Sequence, residues 1–226
     1  MKDMFNNCDS KTNGENLFYN RIKDSINIIF DVGCRNDSDY LDFEREVHYF
    51  DPDGDFIEQL SKMNSSNSPA SFNKFGLGQQ ASESYYFPAY QSFYDRVKSC
   101  QISDDSNKVI KSIRTGKSYV SEKNIEMIDF LKIDTEGYEL NVLLGFDDFL
   151  SNIGIIQFEY GGTFLDNNTT LNDVIEYLKK YGFHKFSYLT NTGTHLITDF
   201  QDHYQYCNIV CVNQNSVHDS LIDEGH

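Results

Sequence analysis

The segment 130–140 (Phe-Leu-Lys-Ile-Asp-Thr-Glu-Gly-Tyr-Glu-Leu) constrains the fold of this chain more than any other stretch. Its first four residues have the character of a buried strand, Gly137 marks a turn, and the residues after it open a helix. Three acids crowd that turn, namely Asp134, Glu136 and Glu139. Ligands bind at the carboxyl ends of the strands in an open parallel sheet, so we expect a binding site here. Because like charges repel, the site should contain a positive partner, which could be a cationic ligand, a metal ion or a lysine.

The rest of the chain alternates between strands and helices in the same way. The apolar runs predict strands at 26–31, 47–51, 71–75, 129–134, 154–159, 184–189 and 206–212. The periodicity and the caps predict helices at 14–24, 53–63, 137–146 and 171–181, and a short one that Ser38 caps and that runs to Glu46. We expect edge hairpins and a loop at 79–120. The pattern is typical of an α/β sheet with both faces covered by helices, a three-layer sandwich.

The chain has 226 residues and no linker that divides it, so we expect one main domain. We place an N-terminal extension with a helix at 1–25, frayed over its first 13 residues. The main domain follows at 26–213, and a flexible tail at 214–226.

Four predicted strands end in an acid, namely Asp31, Asp51, Asp134 and Glu159. These carboxylates should line one edge of the sheet. Asp51 follows Asp31 by 20 residues, which is the spacing of ribose recognition in nucleotide-binding sheets. The turn after Asp31 has a single glycine, Gly33, so the three-glycine dinucleotide fingerprint is absent. The pattern therefore favours a nucleoside that carries no phosphate.

The formal net charge of −16 disfavours nucleic acid and anionic membranes as partners of the surface. No apolar run is long enough to span a bilayer, and the polar first ten residues lack the apolar core of a signal peptide. The five cysteines are odd in number and form no Cys-x-x-Cys pair. Reduced thiols in the cytoplasm are the simplest interpretation.

Three motifs together resemble a known family. They are Asp31-Val32-Gly33, Phe50-Asp51-Pro52 and the run from Leu131 to Leu140. They are similar to the Asp-Val-Gly-Ala-Asn, Phe-Glu-Pro and Lys-Ile-Asp-x-Glu-Gly-x-Glu motifs of the FkbM family of S-adenosylmethionine-dependent methyltransferases. The resemblance covers about residues 26–212. It implies a class I methyltransferase fold, which is Rossmann-like, with a seven-stranded, mostly parallel sheet whose last strand is antiparallel.

The resemblance also implies residue roles. Asp31 and Gly33 would shape the turn beneath the methionine part of S-adenosylmethionine, and Asp51 would bind the ribose diol. The segment 76–78 would lie near the adenine, and Asp134 would face the sulfonium and the acceptor. The implied cofactor-binding set is Asp31, Gly33, Cys34, Asp51, Leu77 and Asp134. The chain departs from the family where Cys34-Arg35 replaces Ala-Asn and where Asp37 replaces a second glycine.

A hydroxyl acceptor needs a base or a metal ion, because its own pKa lies far above neutrality. The candidate catalytic residues are Asp134, Glu136 and Glu159. A divalent ion held by two of them could also lower the pKa of the acceptor. The family resemblance implies a small-molecule or glycan acceptor, and we expect methyl transfer to an oxygen of a sugar. The sequence does not indicate an oligomeric state.

Other interpretations stay open at this point. Glu136 and Glu139 could merely complement the positive end of the following helix. The aromatic residues between Tyr85 and Tyr94 could pack internally or stack on a glycan. The domain could be a non-catalytic module that partners another protein, because its turn at 34–37 is altered. An enzyme that uses a bound dinucleotide is a third alternative, which the missing glycines disfavour.

Overall fold

The structure, a computed structural model, describes residues 8–64 and 69–218. The predictions of a frayed start and a flexible tail therefore lie largely outside the described residues, as does most of the polar loop before the third predicted strand. Within the described ranges, no helix combines the length and apolar character needed to cross a membrane.

The strands are β1 (Ile28–Val32), β2 (Glu46–Phe50), β3 (Ala70–Asn73), β4 (Gly76–Leu77), β5 (Ser82–Tyr86), β6 (Val109–Arg114), β7 (Ile128–Ile133), β8 (Ile153–Tyr160), β9 (Phe183–Thr190), β10 (Gly193–Leu196) and β11 (Cys207–Asn213). The α-helices are α1 (Glu15–Ile22), α2 (Gly54–Met63), α3 (Gly116–Lys123), α4 (Glu139–Phe146) and α5 (Leu171–Lys179). Short 3-10 helices cover Asp147–Asn152 and Gly162–Leu165.

The central sheet has the strand order β10-β9-β11-β8-β7-β1-β2-β3. Strands β1, β2, β3, β7 and β8 pair in parallel, whereas β11 is antiparallel to both of its neighbours. The α/β class and the antiparallel last strand are thus confirmed. The predicted number of seven strands is wrong by one. The eighth strand, β10, forms a hairpin with β9, and its polar sequence, Gly-Thr-His-Leu, lacks the apolar run that marks a buried strand.

Two hydrophobic cores cover the two faces of the sheet, as the three-layer prediction requires. One core joins α1 and α2 to β1 and β2, and includes Ile22, Ile29 and Leu60. The other joins α3, α4 and α5 to the opposite face and includes Phe146 and Leu178. Because both faces are covered, the edge formed by the carboxyl ends of the strands is where we expect a ligand to bind.

Two local predictions were wrong. No helix follows Ser38, because the chain after it buries Tyr40 and Phe43 in irregular structure. The Ser38 hydroxyl donates to Asp31 (2.5 Å). Residues 79–120 contain the expected hairpin, in which β5 pairs antiparallel with β6. They also begin α3, whose weak apolar periodicity hid it although Thr115 caps it.

Candidate active site

A cleft of about 410 Å³ opens at the carboxyl ends of β1, β2, β7 and β8. Such a volume is typical of a small-molecule site. The structure brings together nearly all of the predicted residues, because the cleft is lined by Gly33, Cys34, Asp51, Leu77, Asp134, Glu136 and Glu159. Asp31 is the exception: its side chain is buried directly behind the turn that forms the floor. The prediction that acids from separate strands would meet at one edge is therefore confirmed in its geometry.

Gly33 allows two turns of the cleft to touch. Its φ is +81°, a left-handed conformation that favours glycine, and its N–H donates to the carbonyl of Phe50 (2.8 Å). A Cβ at this position would lie 1.7 Å from the backbone carbonyl oxygen of Asp134. The turn after β1 can therefore pack on the turn after β7 only if residue 33 has no side chain.

Asp51 is a buried carboxylate at the wall of the cleft. It accepts hydrogen bonds from the backbone N–H groups of Asp53 (2.7 Å) and Arg35 (3.1 Å), one on each oxygen. Burial raises the pKa of Asp51 to about 6, although these two bonds oppose the rise. A carboxylate oxygen can accept more than one hydrogen bond, so each oxygen can still accept from a ligand hydroxyl.

Lys132 supplies the positive charge that the clustered acids require. Its Nζ lies 3.2 Å from Asp134 Oδ2 and 3.9 Å from Asp31 Oδ1. Burial raises the pKa of Asp31 to about 6, while Lys132 and the Ser38 hydroxyl oppose the rise. A cationic ligand, a metal ion or a lysine was expected as the positive partner of the acids, and the structure supplies the lysine.

Asp134 and Glu159, which both line the cleft, form a hydrogen-bonded pair of carboxyl groups. Burial and the charge of Asp134 raise the pKa of Glu159 well above its usual range. Burial would also raise the pKa of Asp134, but Lys132 and a hydrogen bond with Glu159 outweigh it and lower that pKa. We therefore assign the proton to Glu159 and the negative charge to Asp134.

Glu136 completes the group on a strained turn. Its φ is +56°, which is uncommon for a residue other than glycine, and Gly137 follows with φ +99°. Burial and the neighbouring Asp134 raise the pKa of Glu136, whereas an ion pair with Arg96 opposes this rise. The Arg96 Nη2 lies 2.6 Å from Glu136 Oε2.

The three predicted catalytic carboxylates are also the only ones here that could surround a metal ion among the described residues. One oxygen from each of Asp134, Glu136 and Glu159 lies within 4.8 Å of the others. Carboxylate oxygens suit hard divalent cations. All three groups already have partners, however, since Lys132 pairs with Asp134, Arg96 pairs with Glu136 and a proton bridges to Glu159. A cation would have to displace that proton, so the arrangement does not require one.

Glu139 has a structural role. Its Oε1 accepts from the backbone N–H groups of Thr135 (2.9 Å) and Gly137 (3.3 Å) at the first turn of α4. It does not line the cleft, and burial raises its pKa to about 7. The helix-end interpretation is therefore favoured for Glu139, while Glu136 faces the cleft.

Sequence reasoning missed part of the lining. Tyr86 and Phe93 form a wall of the cleft and pack on each other, with ring centroids 5.3 Å apart. Tyr206 and Thr163 also line the cleft. Tyr206 directly precedes β11, which pairs with the strand that carries Glu159, and Thr163 follows that strand in the chain. Internal packing thus accounts for part of the aromatic group between Tyr85 and Tyr94. No spacing signal identified Arg96, because the segment that carries it has no periodicity.

The residues fit the cofactor that the family resemblance implied. Gly33 lines the cleft where its turn packs on the turn at Asp134, Leu77 offers an apolar wall, and Asp51 offers a hydrogen-bond acceptor. The buried Asp31 Oδ1 has no hydrogen-bond partner, and the nearest positive charge to it is Lys132 Nζ at 3.9 Å. A nucleoside with a positively charged centre matches this combination of an apolar wall and an acidic floor.

A comparison with models of protein families agrees with the family resemblance of the sequence motifs. The family model of the methyltransferase FkbM domain matches residues 14–185. No curated protein matches the chain significantly. Among solved structures, methyltransferase FkbM from Methylobacillus flagellatus KT is 13% identical with a TM-score of 0.47, and the match covers 83% of this chain but 44% of that one. A TehB-like SAM-dependent methyltransferase from Corynebacterium glutamicum ATCC 13032 Kitasato is 10% identical with a TM-score of 0.48, and 89% of this chain and 88% of that one are covered. The chain thus spans less than half the length of the first of these proteins.

Proposed function

The chain belongs to the FkbM family of S-adenosylmethionine-dependent methyltransferases, and from this premise we propose that it methylates a hydroxyl oxygen of a sugar or another small molecule. The observation that carries the proposal is the convergence of carboxylates from three strand ends, namely Asp51, Asp134 and Glu159, on one cleft that the Gly33 turn also lines. The acidic surface, with its net charge of −16, supports a small acceptor rather than a nucleic acid.

S-adenosylmethionine supplies a methyl group activated on a positively charged sulfur. In our proposal Asp51 accepts hydrogen bonds from the ribose hydroxyls, and Leu77 packs on the adenine. Asp134, which keeps its negative charge, faces the positive sulfur. This attraction stabilises the bound ground state, so the rate must come from the alignment of the acceptor and from removal of its proton.

We assign the removal of that proton to Glu136. When bound, S-adenosylmethionine would supply the methyl group to the acceptor oxygen, and the Glu136 carboxylate would accept the proton that the acceptor hydroxyl loses. Burial raises the pKa of Glu136, which makes it a better base than an exposed glutamate. Glu159 is protonated at the start, so it holds Asp134 in place by a hydrogen bond rather than acting as a base.

Calorimetry with S-adenosylhomocysteine, the demethylated product, tests the cofactor site. We expect Asp51→Asn to weaken binding about 10- to 100-fold, because a charge-assisted hydrogen bond contributes about 1.5–3 kcal/mol. Asp53→Asn is the matched control: it removes the same charge two residues away and preserves the cap of α2, so binding should stay within about twofold of wild type.

Two results would contradict these assignments. Equal binding by wild type and Asp51→Asn would show that the ribose is bound elsewhere. No heat with folded wild-type protein would exclude the enzyme and favour the non-catalytic alternative.

The acceptor class needs a separate experiment. Isotopically labelled S-adenosylmethionine can be incubated with panels of free sugars, nucleotide sugars and small alcohols. We expect a labelled product that survives alkali, since a methyl ether is stable and a methyl ester is hydrolysed. A label that alkali releases would assign the methyl group to a carboxylate instead.

A further inference from the structure

Arg96 is a buried cation (6% exposed) outside every motif that led to the cleft. It lies in the irregular segment between β5 and β6 and does not itself line the cleft. Burying an arginine costs free energy unless its N–H donors are paired, so the groups that pair with them determine why Arg96 occupies this position. Those contacts converge on the turn that carries Glu136.

The guanidinium holds both the side chain and the backbone of Glu136. Its Nη2 donates to Glu136 Oε2 (2.6 Å), and its Nη1 donates to the Glu136 carbonyl oxygen (2.9 Å). The Ser92 hydroxyl donates to the same carbonyl (2.9 Å). This carbonyl belongs to the residue with the left-handed φ of +56°, a conformation that costs energy and needs such contacts to persist.

Asp166 fixes the arginine from the other side. Its Oδ2 lies 3.6 Å from Arg96 Nη1, and its Oδ1 accepts from the backbone N–H groups of Lys98 (2.9 Å) and Ser99 (3.0 Å). Three separate segments, at 90–99, 134–137 and 163–166, are therefore tied together at one guanidinium. An arginine needed only for packing would not require a carboxylate that faces the cleft as its closest partner.

We propose that Arg96 is a positioning residue, which fixes the Glu136 carboxylate and its turn in the conformation that receives the acceptor proton. This inference rests on the proposed function for its chemical meaning, but the contact that it invokes can be measured without any acceptor. Other groups face Glu136 as well: the charge of Asp134 raises its pKa, Arg35 on the turn after β1 lowers it, and Lys132 pairs with Asp134. A carboxyl oxygen of Glu159 lies within 4.8 Å of those of Glu136 and Asp134.

The test is a carbon-13 NMR titration of glutamate carboxyl carbons, with Glu136→Gln used to identify the Glu136 resonance. In Arg96→Gln we expect the midpoint of Glu136 to rise by about one pH unit or more, because a neighbouring opposite charge has been removed. Arg45→Gln is the matched control. Arg45 also donates to backbone carbonyls, of Lys23 (2.9 Å) and Ile26 (2.8 Å), but it lies at the opposite end of the sheet, so the midpoint should not move.

Arg96→Lys decides the matter if Arg96→Gln does not fold. It keeps the charge and loses the two-pronged contact, so we expect a smaller upward shift. An unmoved midpoint in folded Arg96→Gln, or in Arg96→Lys when that is the folded variant, would overturn the proposal.

With an acceptor in hand, Arg96→Gln should lower kcat at least tenfold while the Kd for S-adenosylhomocysteine changes less than threefold. If the wild-type protein does not bind S-adenosylhomocysteine, the proposed function is wrong, but the NMR titration still shows whether Arg96 acts on Glu136.

Discussion

At the scale of single residues, Gly33 shows how closely the cleft is built. The carbonyl of Asp134 occupies the space where a side chain would begin, and the φ of +81° disfavours any other residue. We expect Gly33→Ala to lower the free energy of unfolding by about 2–5 kcal/mol, through backbone strain and displacement of the Asp134 turn. Urea denaturation followed by circular dichroism measures this.

Gly193→Ala separates strain from the clash. Gly193 has a φ of +129°, but nothing lies within 4 Å of its missing Cβ. We expect that variant to lose less stability than Gly33→Ala and to keep its affinity for S-adenosylhomocysteine. Equal losses in both variants would mean that contact with Asp134 is not what excludes a side chain at position 33.

At the scale of elements, the sequence predicted those strands whose positions are determined by the burial of apolar residues. Strands such as β1 and β7 are nearly continuous apolar runs, so their positions were right to within about two residues. The short helix after Ser38 was wrong although the Ser38 oxygen accepts from the backbone N–H of Tyr40 (3.3 Å), because the segment that follows buries Tyr40 and Phe43 in irregular structure. Strand β10 was missed because its pairing with β9, rather than its own composition, makes it a strand.

The same division applies to the site. The acids at strand ends were predictable, because parallel strands place their carboxyl ends at one edge. Arg96 was not, since its position depends on how an aperiodic segment folds back over the turn at Glu136. The raised pKa of Glu159 was not predictable either, because it depends on burial and on the distance to Asp134 at the end of the neighbouring strand. Spacing along the chain does not encode that distance.

Helix α5 offers a prediction at the same scale. Thr170 accepts from the backbone N–H of Asp173 (3.0 Å), and Asp173 Oδ2 accepts from the backbone N–H of Thr170 (2.9 Å), which makes a reciprocal cap. Thr170→Ala should therefore lower the free energy of unfolding by about 1 kcal/mol in urea denaturation, whereas Thr170→Ser, which keeps the oxygen, should stay close to wild type. If Thr170→Ser lost as much as Thr170→Ala, the methyl group rather than the cap would be responsible.

At the scale of the whole molecule, buried acids set the pH dependence of stability. Burial raises the pKa values of Asp31 and Asp51 to about 6 and that of Glu139 to about 7. The folded chain therefore binds more protons near pH 6 than the unfolded chain, whose carboxyl groups ionise near pH 4. Stability should fall as the pH rises from about 5.5 to 8. His48 and His203, whose pKa values burial lowers, oppose this trend in the acidic part of the range.

Thermal unfolding between pH 5.5 and 8 measures this slope. Glu139→Gln removes the group with the highest of these three pKa values, so its slope should be shallower than that of wild type. The difference should reach on the order of 1–3 kcal/mol between pH 5.5 and 8. A slope that is the same in both proteins would show that Glu139 is ionised throughout.

The contact between the Gly33 turn and the Asp134 carbonyl also limits which substitutions the cleft can accept. The turn at Gly33, which we propose binds the cofactor, contacts the turn at Asp134, which we propose faces the acceptor. A substitution that changes the conformation of one turn will therefore disturb the other. Tyr206 reaches the cleft from the residue before β11 and belongs to neither of these two turns. New acceptor preferences would be expected to arise through such a position, while the two turns stay constant across descendants.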